Sequence, residues 1–403
     1  MLQRWFGAKA HSRLHYLTLL FFVVGMVCSK FLMSMGLLLG SLNLLLEADF
    51  RNNLRRLKEN RLVHLLLLFY LLFWFSLLWS DNLKEGFDQL RRLTSLLLIP
   101  IIIAARTLPS ARKIEGLWSF FLGALLLTSL VNNISYHFFA EQLHLVDIRE
   151  MSLFGSHIRF GILIGLGLSF TLWRLHQNKW YLLLVFWFLF YTLDSQALSG
   201  VLTVVIVCIG HAISLLLKRR KWGWIMAIGS ICTIVILAVA YYLSEPIHNR
   251  ETCPPNRVSM ALEWQKRSTL PFEGRDLRGQ LLASTLERFV MSKNGCASAS
   301  GVRALSPDEI HLVELGFADV REAKGGLQAR LFGLRYQLQH STNPNDHSLL
   351  ERIEYWRNAT SLIADHWLIG VGVGDVTDQM QSRYEQRNST LRPDRRLRPH
   401  NYY

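Results

Sequence analysis

Residues 62–79 read LVHLLLLFYLLFWFSLLW, eighteen positions in which His64 is the one acidic or basic side chain. As a helix rising about 1.5 Å per residue, this run would cover most of a bilayer core roughly 30 Å thick. It does not stand alone. Comparable runs occupy Tyr16–Cys28, Phe31–Leu46, Leu93–Ala105, Leu117–Val131, Ile158–Trp173, Trp180–Leu193, Leu198–Leu217 and Trp224–Leu243. A soluble domain has nowhere to bury nine such segments in succession. Several fall short of a full span, and flanking Trp, Tyr, Lys and Arg side chains can snorkel to make up the difference. No secretory cleavage pattern follows the first run, so it reads as a retained helix. The expectation is an all-α polytopic membrane protein with about nine transmembrane helices and a large, mainly helical extracytoplasmic loop.

The formal net charge of +14 raises the question of nucleic acid, and the placement of the charge answers it. Residues 1–243 hold 23 Lys and Arg against 11 Asp and Glu, whereas residues 244–403 hold 21 against 19. Of those 23, 17 fall in alternate connections, around Arg4–Arg13, Arg51–Arg61, Arg106–Lys113, Arg174–Lys179 and Lys218–Lys221. This is the positive-inside pattern. It predicts a cytoplasmic N-terminus, an extracytoplasmic loop after about residue 243, and membrane lipid rather than nucleic acid as the partner. Cys28, Cys208 and Cys232 lie within apolar runs and act as small hydrophobes. Cys253 and Cys296 both lie in the loop, where an oxidising compartment would allow them to pair.

The chain therefore divides by composition into residues 1–243, a membrane domain, and residues 244–403, an extracytoplasmic loop read as truncated at its C-terminus. The longest outer connection, Asn132–Ser156, carries Tyr136, Phe138 and Phe139 and is expected along the interface. Within the loop, amphipathic stretches run over Leu281–Met291, Pro307–Leu315 and Leu327–Leu338. A fourth covers Ser348–His366, with Ser348 and Glu351 spaced as a capping box. A turn, Ile369-Gly370-Val371-Gly372-Val373-Gly374-Asp375, stops this last helix, and a basic tail follows from Arg383 to Arg398. The glycine run follows a helix rather than a strand, which is wrong for a dinucleotide loop and right for a chain reversal.

The predicted topology gathers polar groups on one face. Arg91 and Arg92 open the fourth helix, His157 and Arg159 the sixth, and Gln196 lies in the turn between the seventh and eighth. Arg352, Arg398 and His400 belong to the loop. Arginine holds phosphate oxygens with a fixed fork and permanent charge, and a histidine near neutrality can take a proton from a hydroxyl. Arg91, Arg92 and Arg159 also have a plainer reading as interfacial anchors. No His-Glu-x-x-His, Cys-x-x-Cys or clustered carboxylates occur, so neither a metal nor another cofactor is expected.

Three pieces in this order, Glu351-Arg352-Ile353-Glu354-Tyr355-Trp356, then Gly370–Asp375, then Arg396-Leu397-Arg398-Pro399-His400-Asn401, resemble the signature loop of the O-antigen ligase and O-antigen polymerase superfamily. Ser156–Phe160 and Leu198–Val201 resemble it as well. The resemblance implies a metal-independent, inverting glycosyltransferase that moves a glycan from an undecaprenyl diphosphate carrier to an acceptor hydroxyl such as that of lipid A–core. By position it makes Arg352 and Arg159 the diphosphate holders, with Arg91, Arg92 and Arg398 beside them, and His400 the group that activates the acceptor. His157, Gln196, Gly372, Gly374, Asp375 and Asn401 would support them. A polymerase or a protein glycosyltransferase of the same superfamily is the nearest alternative. A lipid-linked glycan transporter is an alternative of another class, although no inverted repeat or mid-helix charge favours it.

Overall fold

The computed structural model describes residues 7–47, 49–107, 109–145, 148–245, 256–293, 296–323, 326–339, 344–345 and 348–399. In chain order the helices are α1 (Ala8–Cys28), α2 (Lys30–Glu47), α3 (Phe50–Glu59), α4 (Arg61–Phe75), α5 (Leu83–Ala104), α6 (Ala111–Phe139), α7 (His157–Arg174), α8 (Tyr181–Asp194), α9 (Leu198–Lys218) and α10 (Trp222–Ser244). Then come α11 (Arg257–Trp264), α12 (Leu282–Ser292), α13 (Ala299–Arg303), α14 (Pro307–Glu314), α15 (Val320–Ala323), α16 (Gly326–Gln339), α17 (Ser348–Asp365) and α18 (Val376–Gln386). Among the described residues the β-structure is a single isolated bridge, Arg275 with Leu281.

Every apolar run of the sequence lies in one of these helices. Six of them are long and apolar enough to cross a membrane: α1, α2, α4 with its 3-10 continuation to Trp79, α6, α9 and α10. The chain is thus a polytopic helical membrane protein. By packing it forms two compact units, one of residues 1–130 with 351–403 and the other of residues 131–350.

In the first unit, Ser29 alone separates α1 from α2, and glycines let the two helices touch. A Cβ on Gly25 would come within 2.7 Å of the Met33 amide nitrogen, and one on Gly40 within 2.8 Å of Thr18 and Ile102. Small residues play this part in apolar surroundings, where close backbone approach supplies the packing energy. The polar ends are paired: His11 Nδ1 lies 2.8 Å from Asn43 Oδ1, and Arg106 bridges to Glu47 at 2.7 Å.

Helix α5 departs from expectation. It begins at Leu83, not beside Arg91, because the Asn82 side chain accepts the Glu85 N–H at 3.1 Å and caps a polar turn ahead of the apolar run. Arg91 and Arg92 consequently stand in its third turn rather than at its start.

In the second unit, α7 and α9 meet through glycine. A Cβ on Gly161 would lie 2.7 Å from Gly200 Cα, and one on Gly165 would lie 2.3 Å from the Thr203 methyl. Helix α6 continues through Phe139, so part of the segment expected along the interface is helical. Asn132 Nδ2 donates to the Tyr191 hydroxyl at 3.1 Å, while Asn133 and His137 reach Asp194 at 2.7 and 2.9 Å. Those partners on α8 satisfy the polar side chains that end the apolar run.

Beyond α10, helices α11 to α15 close around Met260, Trp264, Phe272, Leu286, Phe289 and Val313. The Trp264 indole N–H donates to the Leu270 carbonyl at 2.9 Å. Asp276 is buried and accepts the Arg278 and Gln280 N–H groups and the Thr285 hydroxyl. Ser306 and Glu309 form a reciprocal capping box on α14. The stretches read as amphipathic correspond to α12, α14, α16 and α17; the Ser348 side chain and Cys253 lie outside the described residues. Cys296 is disulfide-bonded, whereas Cys28, Cys208 and Cys232 are free.

Candidate functional site

The signature loop is built on α17 and α18, joined by the glycine turn. Tyr355, Ala359 and Leu362 of α17 pack with Met380 and Tyr384 of α18 and with Leu391. The two tyrosines then reach past this core to fix the segment that follows. Tyr355 donates to the Arg395 carbonyl at 2.9 Å and Tyr384 to the Leu397 carbonyl at 2.6 Å. The tail, read from sequence as basic, is therefore helical through Gln386 and tied down as far as Leu397.

The glycine turn docks on the residues that link α4 to α5. The Val373 N–H donates to Ser76 Oγ at 3.2 Å and the Gly374 N–H to Ser80 Oγ at 2.9 Å. Asp375, buried, accepts the Asp81 N–H at 2.9 Å and the Asn82 N–H at 2.8 Å with its two carboxylate oxygens. Asn82 Nδ2 in turn donates to Asp378 at 3.1 Å. The geometry explains the glycines. Gly372 has φ +90°, and a Cβ on Gly374 would sit 2.1 Å from the Asn82 carbonyl oxygen. The run is a docking turn whose Val373 and Gly374 amides are occupied by serine hydroxyls.

A second tether lies alongside. Arg398 Nη2 reaches Glu85 Oε1 at 2.9 Å, and Gln89 Nε2 donates to the same carboxylate at 2.6 Å. The Gln89 hydrogen bond, followed by Arg398 and then Arg92, holds the Glu85 carboxyl below its usual range against the opposing effect of burial. Arg398, a candidate phosphate ligand by sequence, already has a carboxylate partner. Arg91 is 78% exposed and only loosely paired, at 3.4 Å from Asp88. Arg92 is exposed, as is Arg352 on α17. Among the described residues no ion pair engages Arg352. The structure thus places Arg91, Arg92, Arg352, Arg398, Gly372, Gly374 and Asp375 in one compact unit.

The remaining candidates belong to the other unit. His157 opens α7 and Arg159 is exposed within its first turn; the Gly161–Gly200 contact sets the start of α7 beside the start of α9. Just before α9, Gln196 takes a left-handed backbone, φ +50°, and its side-chain oxygen accepts the Gly326 N–H at 3.0 Å. His400 and Asn401 lie outside the described residues. Among the described residues no three His, Cys, Asp or Glu side chains are gathered in a way that would hold a metal.

Sequence reading missed Glu85, Gln89, Ser80 and Asn82, the receiving side of both tethers. A signal was present: Asn82 and Glu85 have helix-start spacing. It was passed over because apolarity alone set the helix boundary.

These observations define a polytopic, all-helical membrane protein carrying an arginine-rich loop, glycine-punctuated and latched to the mouth of a membrane helix. The O-antigen ligase family matches residues 181–403, just over half of the chain, and the protein belongs to that family. No curated protein and no solved structure matches the chain.

Proposed function

We propose that the protein transfers a glycan from a polyprenyl diphosphate carrier to the hydroxyl of lipid A–core at the periplasmic face, without a metal and with inversion. The observation that carries this reading is the latch. It sets Arg352 and Arg398 in the same compact unit as Arg91 and Arg92, next to the end of an apolar span. A diphosphate leaving group gains charge as the glycosidic bond breaks, and fixed guanidinium groups stabilise that charge without reorganising. In this scheme Arg352 holds the diphosphate, Arg91 and Arg92 draw it to the helix mouth, and Arg159 is assigned to the donor by the family resemblance alone. Arg398 serves as a positioning residue through Glu85. His400 takes the proton from the attacking hydroxyl, which approaches the anomeric carbon opposite the departing diphosphate.

Two further features support the arrangement. Trp367, Leu368 and Ile369 are all exposed directly before the turn, Trp367 at 76%, where a loop lying against lipid would present them. The disulfide at Cys296 suits an oxidising compartment and so a periplasmic loop. Nine crossings with a cytoplasmic N-terminus complete the reading.

The test is a gel of surface lipopolysaccharide and carrier-linked glycan from cells lacking the locus, rescued with wild type, His400→Ala or Arg352→Ala. An uncapped core with long chains accumulating on the carrier, corrected by wild type alone, is the expected result. A core capped with single repeats would indicate a polymerase instead. An unchanged gel would overturn both readings.

A further inference from the structure

Helix α4 and its continuation act as a ruler. The span Arg61–Trp79 has a mean hydropathy of 2.2, and 19 residues of helix cover about 28 Å. The glycine turn docks at the Ser76–Ser80 end, so Arg61 marks the opposite boundary of the bilayer. Immediately before it lies α3, whose character differs from that of every spanning helix.

Phe50, Leu54 and Leu57 of α3 recur at helical spacing and form one stripe. Phe50 and Leu54 are exposed, at 60% and 53%, while Asn53 faces the protein. Between Asp49 and Arg61 five basic side chains stand against two acidic ones. One of those acids, Glu59, is paired with Arg55 at 3.0 Å. Such a helix lies in the plane of the membrane surface, its apolar stripe at the acyl boundary and its cations at headgroup level.

Where α3 meets α4 and the end of α5, an open basin of about 550 Å³ is lined by Arg56, Glu59, Asn60, Arg61, Arg106 and Thr107, with Leu62 at its edge. Three cations here face one carboxylate. Arg106 is committed to Glu47, and Arg56 donates one N–H to the Ala105 carbonyl at 3.0 Å. Arg61 is exposed, and no ion pair engages it among the described residues. Asn60 caps α4 through its side-chain oxygen, accepting the Leu62 and Val63 N–H groups, which leaves its amide NH₂ to donate. Leu62, 64% exposed, continues the apolar surface from the basin toward the bilayer.

We infer that this basin binds the phosphate of an anionic phospholipid, with Arg56, Arg61 and Asn60 as ligands and the lipid's acyl chains running along Leu62 and the α3 stripe. Charge complementarity selects the occupant, because basic pockets at a membrane boundary favour anionic headgroups. The site lies at the end of α4 opposite the latch and does not depend on the transferase reading.

The test uses the full-length protein in nanodiscs of equal phosphatidylglycerol and phosphatidylcholine, with retained lipid read by native mass spectrometry after delipidation. Two arginines, each contributing about fivefold, set an expected enrichment of phosphatidylglycerol of roughly twenty-five-fold. Arg56→Gln/Arg61→Gln should bring the ratio close to one, while Arg257→Gln, remote in sequence and exposed, should leave it unchanged. Equal retention of both lipids by wild type, or enrichment that persists in the double variant, overturns the inference. So does displacement of the lipid by inorganic phosphate, which would make the basin a free-anion site. Leu54→Cys carrying an environment-sensitive dye gives a reading independent of the arginine variants. Quenching by brominated acyl chains is expected, and none would show that α3 does not lie at the acyl boundary.

Discussion

Asp375 accepts the backbone N–H of Asn82 at 2.8 Å across 293 positions of sequence, and the Asp81 N–H with its other oxygen. Both amides precede the first turn of α5, where the positive end of the helix dipole favours a carboxylate. Replacing Asp375 with Ala leaves two sheltered N–H groups without an acceptor, at a cost of about 2 kcal/mol. Thermal unfolding in detergent should show a lowered midpoint, with Asp375→Asn falling between Ala and wild type. A midpoint unchanged in the alanine variant would mean the contact contributes nothing.

Gly374 should be less replaceable than any other glycine of the turn. Its Cβ would meet the Asn82 carbonyl oxygen at 2.1 Å and Ser80 Oγ at 2.6 Å, so the turn must lift from its dock. Gly333, inside α16 with open space around it, is the comparison. Gly333→Ala should be neutral or stabilising by up to about 1 kcal/mol, while Gly374→Ala should lower stability and, on the proposed function, capping of the core. Equal behaviour of the two variants would remove the steric argument.

The difference between these two positions shows what sequence could convey. Apolar runs reveal helices because lipid forces each to satisfy its own backbone; all nine runs are helical here, and six of the helices are long and apolar enough to cross a membrane. Amphipathic spacing likewise located α12, α14, α16 and α17. Helix ends were less legible. Leu83–Arg92 is too polar to extend an apolar run, yet Asn82 starts the helix there. Helix α18 was hidden by its charge, although Met380 and Tyr384 bury one face of it. The latch had no local signature at all. Asp375 looks like any turn aspartate until its partners, set by tertiary packing, are known. For Gln196, read only as a turn residue, the left-handed backbone and the bond to Gly326 were equally out of reach.

The Arg398–Glu85 tether makes a pH prediction with a definite sign. Glu85 has its carboxyl held below the usual range, so its contribution to stability is fully present above the ordinary carboxylate value and is lost as pH falls through the depressed one. Unfolding midpoints of wild type and Glu85→Gln should therefore differ at neutral pH and converge in acid. Midpoints that stay apart down to the acid limit would show that the Glu85 carboxylate, with its bonds from Gln89 and Arg398, is not what the substitution removes.

The start of α7, with His157 and Arg159, depends on a glycine pair that a single methyl should disturb. A Cβ on Gly161 would lie 2.7 Å from Gly200 Cα and 3.1 Å from its nitrogen, both backbone atoms that no side-chain rotation can move aside. Helices α7 and α9 must then separate, and Gly165, where a Cβ would lie 2.3 Å from the Thr203 methyl, separates with them. Overpacking of this kind costs about 1–3 kcal/mol. Gly210 lies on the same helix as Gly200 with nothing within 4 Å of its added Cβ, so Gly210→Ala controls for the change in helix propensity. Gly161→Ala should lower the unfolding midpoint and, if Arg159 holds the donor as proposed, reduce capping of the core beyond what the lost stability explains. Gly210→Ala should do neither. A Gly161→Ala protein that unfolds earlier yet caps normally at permissive temperature would keep the packing argument and release Arg159 from any role that depends on the position of α7.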